Sequence, residues 1–567
     1  MEHSTVTETH REVTLTGLKG LLSGRRRRVL REYLTGYLMI LPSTALVFLF
    51  GIFPVAFALY VSMQKWRLKR GDFIGMDNFV RALGNLAYIL FFLIAISALV
   101  GAVILFRRIR GQAVENEERP WLLTIPAVFH AAAVLALFRW LILLLPEVLD
   151  IAGKIIGVEK SRELFVSLLG EAFRVETVLG AFQVFIVLTL ISLITGFITS
   201  RLWKNPRNLI YQSQFAFVWL TASIGVLLLV FTYQEVAKAY QLALETGTDP
   251  GIWPQVITIG SGILLLVLAW IIWRSAEGQS SNRSFWLRLF AALFLLVAGW
   301  VLIAEIPIVM AAGDEDVWQG LKVTIFYSLG TVPFQLGISL FLAILLFQKL
   351  AGSEVFRMLF FLPYVTPFVA SAVVFRQMFS IRPQAPVNQF ISLFGIESLA
   401  WIQEPEGIIS MLGGSMGYEI PDWAAGPSLA LVVIMFFSIW VYVGYDTVIY
   451  MAGLGNISLE LIDAAQIDGA NRWGVFRHII FPLLSPTTYF LSLIAIIGTF
   501  KAFSHIWVMR QELAVGTTDT FSVFIFAEFF DKVRFGYASA LAFVLFAVIL
   551  SLTFINNRVQ GSRVFYG

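Results

Sequence analysis

Twelve runs of mostly apolar residues, each long enough to cross a membrane, set the terms on which this chain can fold. A spanning helix needs about 20 such residues, because each adds about 1.5 Å and the hydrocarbon layer is about 30 Å thick. The runs lie at 36–63, 86–106, 121–146, 176–200, 209–232, 252–273, 285–308, 319–347, 356–380, 427–453, 482–509 and 537–556. Backbone N–H and C=O groups in hydrocarbon must be satisfied within the segment, so each run is expected as a helix. The expected fold is all-α: a polytopic membrane protein of about 12 transmembrane helices.

Composition removes the main alternatives. At 58% hydrophobic and 14% charged residues the chain is no ordinary soluble domain. It has no cysteine, which excludes disulfides, thiolate metal sites and a cysteine nucleophile. The five histidines (His3, His10, His130, His478 and His505) are scattered without ligand spacing, so no metal site and no catalytic residue are expected. The net charge of +4 comes from Lys and Arg beside the apolar runs. Membrane orientation and anionic membrane lipid account for them, Arg25-Arg26-Arg27-Arg28 included, and no nucleic acid is implied. The first run follows some 35 polar residues and lacks a small-residue cleavage site, so it is expected to be retained as a helix.

Basic residues set the expected orientation. With the N-terminus inside, the inner loops carry Arg107, Arg108 and Arg110; Arg201, Lys204 and Arg207; Arg274 and Arg283; and Lys349 and Arg357. The outer loops carry the acidic stretches from Glu235 to Asp249 and Asp314-Glu315-Asp316, and one of them, with Lys65, Arg67, Lys69 and Arg70, goes against the rule. The balance places both termini and residues 456–481 on the cytoplasmic side.

That polar island, residues 456–486, reads as a short helix, a turn at Gly469 and a second short helix. Leu459, Ile462, Ala465 and Ala470 recur near helical spacing while Glu460, Asp463 and Asp468 stay wet. Trp473 and Phe476 add aromatic bulk, and Pro482 and Pro486 mark the entry into the next span. The run Asp463-Ala464-Ala465, then Asp468-Gly469-Ala470, Phe476, Ile479, Pro482 and Pro486, resembles the EAA loop of binding-protein-dependent ABC importer permeases. Asp463 stands where that family usually has glutamate.

The resemblance extends to both sides of the island. Residues 53–83 resemble the opening of maltose-type carbohydrate permeases, in which a segment like Val317 to Phe347 follows almost directly. Residues 356–379 look like the third core helix, with Pro363 and Pro367 breaking its start, and 536–558 like the last. The implied organisation is a cytoplasmic basic segment at 1–35, a first core helix and outer loop at 36–84, an inserted membrane region of six helices at 85–316, and the remaining core of a type I ABC importer permease at 317–567. Six is even, so the insertion leaves the core topology intact. His130, Arg139, Glu235 and Glu305 are ionisable groups in or near its spans, and scaffolding or partner docking suits it better than a second transport route.

No GxxxxGK[ST] loop occurs, so ATP hydrolysis is not expected on this chain. The resemblance implies two separate ATP-binding subunits that carry ATP and magnesium, a second permease subunit forming a heterodimer, and a solute-binding protein docking on the outer loop at 381–426. It places the chain in a bacterial or archaeal inner membrane. By ungapped spacing from the loop it implies a sugar path along Val441, Tyr442, Tyr445, Ala495, Gly498, Thr499 and Ala502. Tyr rings stack on sugar C–H faces, and small residues leave room; filling of a helix interface is the other use for the tyrosines. Asp446 and Lys501 are conspicuous charges in the same helices, expected to face water or each other. The implied function is import of a sugar or polyol. The alternatives are an importer of the same architecture for a non-sugar solute, a polytopic membrane enzyme and a scaffold.

Overall fold

The computed structural model describes residues 25–559 apart from 68–69, 158, 160, 204–206, 248, 278–281 and 349–351. His3, His10, Lys69, Lys204, Lys349 and the side chains of Arg25 to Arg27 lie outside the described residues. The described residues are helical, with two isolated bridges (Gln64 to Phe73, Gly407 to Ser428) and no longer strand.

Among the described residues ten helices are long and apolar enough to cross a membrane, and two bent helix pairs raise the number to twelve if each pair is one span. In chain order the elements are α1 (Arg31–Ser62), α2 (Asp77–Leu83), α3 (Leu86–Glu115), α4 (Pro120–Lys154), α5 (Arg162–Arg174), α6 (Glu176–Leu202), α7 (Asn208–Glu245), α8 (Ile252–Ala276), α9 (Asn282–Ala311), α10 (Glu315–Phe347), α11 (Ser353–Val365), α12 (Phe368–Met378), α13 (Leu429–Gly455), α14 (Leu459–Ile467), α15 (Arg472–Leu483), α16 (Ser485–Phe500) and α17 (Phe535–Val559). All twelve expected spans find a counterpart, with three revisions. The run at 356–380 is α11 and α12 meeting at 94°, because Pro367 has no N–H to continue the helix and holds Thr366 extended. The break therefore falls mid-run rather than at its start. The run at 482–509 begins earlier, at Arg472, bends by 62° beside Leu484 and ends at Phe500. Finally, α7 continues past residue 232, so Glu235 is helical and buried instead of lying in an outer loop.

The chain divides into two compact units, one comprising Met1–Tyr60 and Leu137–Ala181, the other Val61–Ala136 and Phe182–Gly567. In the first, Phe48 packs on Phe138 at 6.0 Å and Trp140 on Phe173 at 6.2 Å. Its helix α5 went unpredicted because it is too short and charged to span; Ser161 caps it by accepting from the Leu164 N–H.

In the second unit α10 packs along α13, and the core between them holds Tyr327, Phe375, Phe379 and Phe437. Small residues allow the closest crossings. Gly262 and Gly299 face each other where α8 crosses α9, and Gly444 of α13 meets the Phe360 carbonyl of α11.

Contacts over long sequence separations tie the helices following residue 85 to α2 and its flanks. Glu235 of α7 accepts a hydrogen bond from the Met76 N–H at 3.1 Å, at the start of α2, where a carboxylate complements the helix dipole. The same carboxylate takes Lys238 Nζ at 2.5 Å. Burial, then the Glu235 charge, pushes the Asp77 carboxyl up. Asn85 donates to the Pro250 carbonyl and to Gln255 Oε1, both at 2.9 Å. Asp314, just ahead of α10, accepts from the Tyr537 hydroxyl of α17 at 2.6 Å, and Arg81 lies 4.4 Å from the centre of that tyrosine ring.

Candidate functional site: an exposed loop and an aromatic cavity

Residues 456–486 fold as two short helices around a tight reversal. Ser458 caps α14 by accepting from the Glu460 N–H, and Asn471 caps α15 by accepting from the Gly474 N–H at 2.7 Å. Between them Gly469 sits at φ +86°, with Ala470 N–H bonded to the Ala465 carbonyl and Gly469 N–H to that of Gln466. This is the Schellman closure of a helix, and it requires a left-handed residue at that point.

The reversal leaves Asp463, Ala464, Asp468 and Gly469 exposed, with Ala465 and Ala470 half-buried behind them. Among the described residues no ion pair takes Asp463. Ile467 is 85% and Trp473 63% exposed, an apolar surface on a polar loop. Phe476 is held between Trp473 and Phe481 at 5.3 and 6.0 Å. A π-turn over Phe476–Ile480, Ile479 included, precedes Pro482, with Phe481 N–H bonded to the Phe476 carbonyl. Pro486 opens α16 just beyond the bend. The two prolines thus flank the 62° bend, where neither has an N–H to carry a continuous helical ladder across it.

Above this bend α10, α13 and α16 enclose a cavity of about 330 Å³, at the low end for a small-molecule site. Tyr327, Thr331 and Gln335 line it from α10, spaced four apart and so on one face. From α13 come Ser438, Tyr442, Tyr445 and Asp446; from α16, Ala495, Gly498 and Thr499; and from the segment after it, Lys501, Ala502 and His505. Tyr364 and Phe368 enter from either side of the break between α11 and α12. Tyr364 stacks on Tyr445 with ring centres 4.6 Å apart and planes at 21°.

Polar atoms sit at both ends of this aromatic wall. At one, the Asp446 carboxylate accepts from Gln335 Nε2 at 2.5 Å. At the other, the Tyr327 hydroxyl meets Ser438 Oγ at 2.5 Å and His505 Nε2 at 2.7 Å. Thr499 Oγ1 donates to Ser328 Oγ at 2.9 Å. Asp446 and Lys501 both line the cavity, and among the described residues no ion pair joins them.

Of the residues placed on the path by spacing, Tyr442, Tyr445, Ala495, Gly498, Thr499 and Ala502 line the cavity. Val441 does not: it is 1% exposed and packs in the core around Tyr327 and Phe437. One residue along a helix turns the side chain by about 100°, which carries Val441 from the cavity face to the core face. The α10 residues and the Tyr364–Phe368 pair were missed. Their signal was a polar stripe, Tyr327, Thr331 and Gln335, in an otherwise apolar run. No group of three or more His, Asp or Glu is arranged for a metal among the described residues.

The family model described as binding-protein-dependent transport system inner membrane component matches residues 335–563, which take in the loop and most of the cavity wall. The probable ABC transporter permease protein YesP of Bacillus subtilis is 30% identical over 261 residues, covering 45% of this chain and 76% of its own length. This chain belongs to that family. The lactose transport system permease protein LacF of Rhizobium radiobacter is also 30% identical, over 44% of this chain and 78% of its own. Among solved structures, a bacterial ABC transporter involved in the import of the acidic polysaccharide alginate aligns with 20% identity over 44% of this chain and 80% of that one, at a TM-score of 0.38.

The chain is accordingly a multi-pass membrane permease of an ABC importer that works with a solute-binding protein. In such a permease the loop at Gly469 and the cavity are joined through two helices. The span that walls the cavity as α16 continues through the bend into α15, and α13 runs from the cavity to within a few residues of α14.

Proposed function

We propose that this permease carries a carbohydrate, a sugar or polyol, through the cavity between α10, α13 and α16. The observation that carries the reading is the stacked pair Tyr364 and Tyr445 lining one cavity together with Asp446, Gln335 and Thr499. Aromatic faces pack on sugar C–H surfaces while hydroxyl and carboxylate groups read the O–H pattern. Relatives named for lactose and arabinooligosaccharide transport support the same class.

Energy enters at the loop. Ile467 and Trp473 dock on a separate ATP-binding subunit, with Asp463 facing a basic group there, and the residues from Asp463 to Pro486 transmit the motion. Two such subunits hold ATP and magnesium, and closing them moves α15 and, through the bend, α16, which turns the cavity from one side of the membrane to the other. This chain itself hydrolyses nothing. A second permease completes a heterodimer, the solute-binding protein delivers its load to the 381–426 loop, and both termini lie in the cytoplasm.

The test is uptake by the complete transporter in proteoliposomes, with its binding protein and internal ATP, against labelled sugars and polyols. Saturable uptake of at least one, lost in Tyr445→Ala, is expected. Transport of amino acids or inorganic ions with no sugar among the substrates would sink the carbohydrate reading.

A further inference from the structure

Between the spans α4 and α6 the chain forms α5, a helix of 13 residues. At about 1.5 Å per residue it is about 20 Å long, too short to cross about 30 Å of hydrocarbon. Its neighbours nevertheless fix its level. Val175 alone separates it from α6, whose 27 residues span about 40 Å and whose first residue, Glu176, is charged and exposed. At the other end α4 closes on Lys154. Both ends of α5 therefore adjoin span ends on one side of the membrane, at the level where headgroups begin.

The surface of α5 divides three ways. Successive residues turn by about 100°, so Leu164, Leu168 and Ala172 share one flank, and these are half-buried or buried against the protein. Glu163, Ser167, Glu171 and Arg174 fall within an arc of about 80°, and all four are exposed. The third arc, about 100° wide, carries Phe165, Val166 and Phe173 around the half-buried Leu169. These three are 46%, 57% and 41% exposed, even though Phe173 keeps a ring contact with Trp140 of α4. Arg162 opens the helix on the same side, where its stem can follow apolar surface while the guanidinium reaches a headgroup phosphate. The adjoining spans show what covers such a face at this level. Leu149, near the end of α4, and Leu179, in the first turn of α6, are 48% and 42% exposed on helices that cross the bilayer.

We propose that α5 is an interfacial helix that lies along the membrane surface, with Phe165, Val166 and Phe173 inserted among the acyl chains of the adjoining leaflet and Glu163, Ser167 and Glu171 in water. Apolar faces of such helices enter about 5–10 Å into the boundary between headgroups and acyl chains. The occupant of this face is lipid, so α5 anchors the junction of α4 and α6 to the bilayer instead of presenting it to a soluble partner. In the orientation proposed above, the leaflet is the outer one.

The chain has no cysteine, so a single introduced cysteine takes one spin label. Phe165→Cys, Val166→Cys, Ser167→Cys and Glu171→Cys all change exposed side chains of the full chain, which is then placed in phospholipid nanodiscs. Power-saturation spectroscopy reads collisions of each label with oxygen, which concentrates among acyl chains, and with a water-soluble nickel chelate. Oxygen collisions exceed nickel collisions at Phe165→Cys and Val166→Cys, and the order reverses at Ser167→Cys and Glu171→Cys. Nickel collisions at Val166→Cys equal to those at Ser167→Cys place the face in water and overturn the proposal. Few collisions with either reagent at Phe165→Cys and Val166→Cys overturn it as well, because the face is then covered by protein, whether a second copy or another subunit.

Discussion

Replacing Gly444 by alanine tests whether the cavity wall is set by backbone contact between α11 and α13. An added Cβ would fall inside the van der Waals shell of the Phe360 carbonyl group and 3.0 Å from Phe361 Cα. All of these are backbone atoms, so no side chain can rotate aside and one helix must move. Overpacking of this kind costs about 1–3 kcal/mol, against which alanine gains about 1 kcal/mol over glycine inside a helix. The net loss is up to about 2 kcal/mol. Gly498 supplies the control, since nothing lies within 4 Å of a Cβ built there. Gly498→Ala therefore keeps the helix gain without the clash, and the two variants should differ by about 1–3 kcal/mol. Uptake should fall in both, for different reasons: moving α11 pulls Tyr364 off Tyr445, whereas a methyl at 498 occupies cavity space. Thermal unfolding of the two purified variants in one detergent, read beside transport, is the assay. Should Gly444→Ala melt at or above Gly498→Ala, the close crossing does not exist as described.

Three further outcomes follow from single contacts. Glu235→Gln weakens a charged hydrogen bond to Met76 N–H and the pair with Lys238, a loss of about 1.5–3 kcal/mol; hydrogen exchange across 74–84 should quicken, and unchanged protection would show that α2 is held by its apolar face alone. Gln335→Ala removes the donor to Asp446 and strands a carboxylate that is 3% exposed, again about 1.5–3 kcal/mol in thermal unfolding; Asp446→Asn in the same background should recover part of it, and no recovery would mean the carboxylate is not the cause. Ile467→Asp changes an 85% exposed side chain, so stability should stay within about 0.5 kcal/mol while co-purification of the ATPase is lost; retained ATPase would remove Ile467 from the docking surface.

What could be read in the sequence was what local chemistry decides. Span length and apolarity gave twelve helical runs, and Gly469 and the two prolines gave the loop, because a left-handed residue and missing N–H groups act within a few positions. On α13 and α16 the family resemblance, carried by ungapped spacing from the loop, picked out residues that line the cavity, except at Val441, where one position turns a side chain into the core. It was not legible on α10. The polar stripe from Tyr327 to Gln335 is visible in sequence, but only packing against α13 shows that it faces a cavity rather than a neighbouring helix.

The attachment of the residues following 85 lies at the far end of that scale. Glu235 was conspicuous as a carboxylate near a span, and burial cost alone demands that it have a partner. Its partner is a backbone N–H 159 positions earlier. Asn85 reaches Pro250 across 165 positions, and Asp314 reaches Tyr537 across 223. No periodicity links such positions, so they follow only from the assembled helices. Their placement still has a physical consequence. These joints gather at one end of the bundle, where α2, α7, α10 and α17 meet, and at the other end Arg558 of α17 lies 5.3 Å from the centre of the Trp270 ring of α8. A helix pair fixed to α17 at one end, with neighbouring helices tied at the opposite end, resists tilting against the core. Movement between inward- and outward-facing cavities is then best accommodated at the two broken spans, α11 with α12 and α15 with α16, where proline has already removed the continuous ladder.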